Sequence, residues 1–109
     1  MSLNAAKLAT DMVGAMQGVL GNKWPEIKEY GEAESKKLAE SFVMVQKLKL
    51  ANNLDEEEAR LHFNIQKNAS RTVLLTIEGL GVLAADQAIN AALDVVKDAV
   101  NTALGFTLV

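Results

Sequence analysis

The chain has 109 residues, half of them hydrophobic and 23% charged, a globular composition that suits one domain, residues 1–109, with a modest core. It contains no cysteine, which excludes disulfides, thiolate metal ligands and a cysteine nucleophile and fits a reducing, cytoplasmic setting. A net charge of −3, no basic block and few aromatic rings argue against a nucleic-acid partner. The most apolar stretch, residues 72–85, is too short to span a bilayer and carries Glu78, so no membrane partner is expected. The first twenty residues lack the basic and apolar regions of a secretory signal.

Helical periodicity runs through the chain, and only the tail, residues 106–109, has a strand-like composition. A first helix is expected over residues 3–20, capped by Ser2 or Asn4, with Ala5, Leu8, Ala9, Met12, Val13, Met16, Val19 and Leu20 as its apolar face. Gly14 and Gly18 cost this helix about 1 kcal/mol each relative to Ala; either a neighbouring helix comes close there or the helix frays. Gly21-Asn22 ends it.

A second helix starts near Pro25, whose missing N–H suits a first turn. Its inward positions read Ile27, Gly31, Glu34, Leu38, Ser41, Val45, Leu48 and Asn52, with Tyr30 and Phe42 flanking them. These steps of three and four make a coiled-coil-like seam. Trp24 is placed to plug the end between helices one and two, and Asn52-Asn53 stops the second helix.

The third helix begins at Asp55, with Glu58 completing a capping-box-like start. Leu61, Ile65, Ala69, Thr72, Val73, Thr76 and Leu80 fall on one arc and predict its buried face, with Arg60, Asn64, Lys67, Arg71 and Glu78 opposite. The last helix, residues 83–104, presents Ala85, Ala88, Ile89, Ala92, Leu93, Val96, Ala99, Val100 and Ala103, a thin face that a neighbour can approach closely. If the third and last helices were continuous, their apolar arcs would lie about 160° apart. The chain therefore either breaks near Gly79-Leu80-Gly81 or forms one helix about 75 Å long, which a chain this small covers only as an oligomer. The expected fold is all-α, an antiparallel helical bundle of four helices, or of three with one very long C-terminal helix, in an oligomer; the break is the preferred reading.

His62 is the single histidine and falls on the arc predicted to be buried, with Glu58 one turn earlier. A carboxylate and an imidazole at this spacing can share a metal. The pair resembles the Glu-x-x-His motif of ferritin-like di-iron bundles, but with a step of four rather than three and only once, so a site needs two Glu58/His62 pairs across a dimer. The plainer expectation has Glu58 capping the helix and pairing with Lys49, and His62 as a hydrogen-bonded neutral imidazole. Glu34, an acid on the seam, is expected to pair with Lys36, Lys37 or Arg71. No phosphate loop, dinucleotide fingerprint, His-Glu-x-x-His or nucleophile elbow occurs, so neither an enzyme nor a cofactor is expected. The leading functional expectation is a non-enzymatic helical module that self-associates through Ala85, Ala88, Ile89, Ala92, Val96, Ala99, Val100 and Ala103. The alternatives are the metal-binding bundle and an adaptor that binds another protein through an exposed apolar helix face or the tail.

Overall fold

A computed structural model describes residues 2–109. The fold is all-α: α1 spans Ala5–Leu20, α2 Trp24–Leu50, α3 Glu56–Leu75 and α4 Val82–Leu104, with a 3-10 turn at Gly21–Lys23 between α1 and α2. Among the described residues there is no strand, and residues 106–109 are irregular. The helix starts follow local chemistry. The Asn4 side chain accepts the Lys7 N–H at 3.0 Å, and Asp55 accepts the Glu58 N–H at 2.8 Å, each satisfying a first-turn donor that has no partner within the helix.

The chain breaks between α3 and α4, which excludes the single long helix. α3 stops at Leu75, and Gly79 and Gly81 adopt φ values of 83° and 82°, a region where a Cβ is costly. Leu80 between them is buried and pins the turn to the core.

The molecule measures 43 × 22 × 18 Å, and a helix of 27 residues is about 40 Å long, so α2 runs its full length. α1 lies along both α2 and α4, α2 also meets α3, and α3 meets α4. Met12 and Met16 of α1, Leu38, Phe42 and Val45 of α2, and Ile89, Val96 and Val100 of α4 are fully buried among them. The α2 seam follows the predicted spacing from Ile27 to Val45, with Asn52 outside it and exposed. A second buried row, Ser35, Ala39, Phe42 and Gln46, accompanies it because α2 is covered by both α1 and α3.

Two predicted faces are corrected. On α3 the buried residues are Ala59, Phe63, Ser70 and Leu74, whereas Leu61, Ile65, Ala69 and Thr72 are exposed. The Phe63 ring stacks on Phe42 with centroids 5.1 Å apart, and this contact sets the rotation of α3. On α4 the proposed self-association face is largely internal. Ala85, Ala88, Ile89, Ala92, Val96 and Val100 are buried by the rest of the same chain, while Ala99 is exposed and Ala103 half-buried. The helices that α4 packs against are α1, α3 and α2 of the same chain.

Trp24 is buried, and its ring lies against Gly31 two turns on: a Cβ at Gly31 would stand 2.8 Å from the ring, with the Met16 sulfur at 3.5 Å. By contrast, a Cβ at Gly14 or Gly18 would meet nothing within 4 Å, so no helix approaches closely there. One substitution should therefore act with opposite signs. In urea titrations, Gly31→Ala should destabilise by about 1–3 kcal/mol through overpacking. Gly14→Ala should stabilise by about 1 kcal/mol through helix propensity.

Candidate functional site

The outer surface of α3 carries the candidate site. With about 100° per residue, the buried row Ala59, Phe63, Ser70 and Leu74 places Leu61 and Ile65 almost directly opposite the core. Their exposures of 62% and 61% are high for large aliphatic side chains at the middle of a helix. Met44 of α2, also exposed, joins Ile65 in lining a groove of about 340 Å³ between α2 and α3, with Lys37, Glu40, Ser41, His62 and Gln66 completing its walls. Val19, Tyr30, Leu50, Val82, Leu83 and Val95 are exposed elsewhere; Ile65 and Met44 share the groove, and Leu61 stands one turn before Ile65 on the outer face of α3.

Charge is unevenly distributed along α3. Glu56, Glu57 and Glu58 fill its first turn, while Lys67 and Arg71 stand in its second half. Arg71 makes a two-toothed contact with Asp86 of α4, Nε to Oδ1 at 2.5 Å and the terminal nitrogen to Oδ2 at 3.4 Å. This guanidinium holds the Asp86 carboxyl below the usual range, with the nearby Lys67 charge adding a smaller pull. Asp55 is lowered as well, mainly by the Glu58 backbone N–H it accepts. Glu58 is raised, first by its side-chain hydrogen bond with Asp55 and then by repulsion from the Asp55 charge.

Glu58 and His62 are both exposed, on the side of α3 that borders the groove. The prediction that His62 is buried on an apolar arc is corrected, since Phe63 and not its neighbour turns inward. Among the described residues, no three or more His, Cys, Asp or Glu side chains converge on one point, so a metal held by Glu58 and His62 draws on no third acidic or imidazole ligand of its own chain. Glu58 does not pair with Lys49. Its partner is Asp55, while Lys49 donates to the Leu104 carbonyl and stands 4.8 Å over the Phe106 ring. Glu34 is buried and pairs with the Lys37 ammonium at 3.0 Å, one of the three partners expected from the sequence.

The tail is held down. Asn101 accepts from the Leu108 and Val109 N–H groups at 2.9 and 3.1 Å and donates to the Val109 carbonyl at 3.2 Å. Arg60 donates to the Thr107 carbonyl at 3.0 Å and also lies over the Phe106 ring, while Leu108 is buried. Sequence reading missed this clamp, because an asparagine on the polar flank of a helix carries no signal of a distant backbone partner.

Comparison with protein-family models, with curated proteins and with solved structures finds no match to this chain.

The Arg71–Asp86 pair predicts a pH dependence. With the folded pKa of Asp86 below its unfolded value near 4, the pair's contribution is fully present above that value and is lost as the pH falls through the folded pKa. In urea titrations at pH 6 and pH 3, Asp86→Asn should lose less stability on acidification than the natural chain. The difference should shrink in high salt, because both side chains are 39% exposed.

Proposed function

We propose that this chain is an antiparallel helical bundle that acts, without catalysing a reaction, by associating with other copies of itself in the cytoplasm. The surface responsible is the outer face of α3 with Met44, not the alanine-rich flank of α4. One observation carries the reading: Leu61 and Ile65 project into solvent from the middle of α3 while the same helix buries its opposite row in the core. Fully burying an aliphatic side chain of this size is worth about 1.5–3 kcal/mol, so at this exposure roughly 1–2 kcal/mol stays unrealised at each position. A contiguous apolar cluster with a charged border is the usual mark of a protein contact. The alanine flank offers little of that kind, since Ala99 and Ala103 alone among its predicted residues remain outside the core.

A second reading uses the same surface. Glu58 and His62 are exposed beside Leu61, so association through α3 would bring two such pairs together, the arrangement a shared metal ion requires. Zinc should then raise the associated fraction in the natural chain and leave His62→Ala unchanged. No response to zinc, iron or manganese removes this reading and leaves the first untouched.

Sedimentation velocity tests self-association directly. The natural chain should show a concentration-dependent oligomer. Leu61→Lys combined with Ile65→Lys should weaken it at least about tenfold, with helicity by circular dichroism unchanged because neither residue supports the core. A natural chain that stays monomeric at high concentration defeats the proposal.

A further inference from the structure

Resting on the self-association just proposed, we infer that Met44 is an oxidation site that controls it: a peroxide converts the Met44 thioether to the sulfoxide, and the added oxygen loosens the contact between copies. Three observations lead there. The chain has four methionines and no cysteine, so thioethers are its only sulfur groups. Met12 and Met16 are fully buried, the Met16 sulfur accepting from the Ser35 hydroxyl at 3.6 Å, whereas Met44 is 45% exposed; Met1 lies outside the described residues. Met44 also shares the groove between α2 and α3 with Ile65, on the associating surface.

The chemistry needs only the sulfur and the peroxide. A lone pair of the Met44 sulfur attacks one peroxide oxygen, and the S–O bond forms as the O–O bond breaks. The proton on the transferred oxygen passes to the departing one, which leaves as water. The sulfur loses two electrons and the peroxide gains them. A soft apolar side chain becomes a polar one that accepts hydrogen bonds. In a lone protomer the groove, about 340 Å³, leaves the new oxygen in water, so the fold is undisturbed. A second copy laid over Met44 has to strip that water, which costs affinity. Oxidation and association therefore oppose each other: a covered Met44 is shielded from peroxide, and an oxidised Met44 resists being covered.

Peroxide treatment tests this site by site. Trypsin places Met1, Met12 with Met16, and Met44 on separate peptides, residues 1–7, 8–23 and 38–47, so mass spectrometry reads each. Under dilute hydrogen peroxide, Met44 should gain one oxygen before Met12 and Met16 do, and more slowly as the protein concentration rises through the association range. In sedimentation velocity the oxidised chain should associate about tenfold more weakly with an unchanged thermal melt, and methionine sulfoxide reductases with dithiothreitol should restore it. Met44→Gln, which puts a polar side chain of similar length there, should weaken association about as much as oxidation does. Met44→Leu should associate to the same extent before and after peroxide. Oxidation that reaches Met12 and Met16 as fast as Met44, an oxidised chain that associates unchanged, or a Met44→Leu chain that peroxide still loosens overturns the Met44 site and leaves self-association standing. A natural chain that stays monomeric removes both.

Discussion

The stacking of Phe42 on Phe63 governs how the rest of the surface is arranged. With the rings 5.1 Å apart and inclined by 26°, α3 can be seated only with the Ala59, Ser70 and Leu74 side down. Ala59 and Ser70 are small and fully buried, which lets the helix sit close to its neighbours on either side of the aromatic contact. Rotating α3 by roughly 180° would bury Leu61 and Ile65 instead, but it would bring Phe63 out into water and forfeit a burial worth more than either aliphatic alone. The outward cluster is thus the residue of a choice made by the largest side chain on the helix.

Much of the architecture could be read before any coordinates. Asn4 and Asp55 announce the starts of α1 and α3, Gly79 and Gly81 announce the break, and the seam of α2 follows its three-and-four spacing. The rotation of α3 could not be read. Its sequence offers two apolar rows, one aliphatic and one built from a single phenylalanine among small residues, and counting aliphatics favours the wrong one. That error also inflated the phase difference between α3 and α4. With Phe63 inward the two faces differ by roughly 70°, not 160°, so the helix break is made by glycine geometry and not demanded by a reversal of hydrophobic phase.

The alanine-rich flank of α4 illustrates a different ambiguity. Small residues at helical spacing say that something comes close, but not whether it belongs to the same chain. Here α1 runs along both α2 and α4, and its Met12 and Met16 are fully buried. Nothing in the periodicity of α4 by itself distinguishes α1 from a second copy. Only the sum of all four helices shows that the alanine-rich face of α4 is enclosed, while Leu61 and Ile65 of α3 stand outside.

The tail bears on α3 as well. Arg60 is the one Lys or Arg in the first half of α3, next to Glu56, Glu57 and Glu58. Its guanidinium is engaged by the Glu56 carboxylate at 3.6 Å, the Thr107 carbonyl at 3.0 Å and the Phe106 ring. Those contacts hold Arg60 against the chain end, itself fastened by Asn101, and away from the outer line of Glu57, Leu61 and Ile65. The segment that the sequence suggested as a ligand for another protein is instead spent within the fold, where it also engages Arg60.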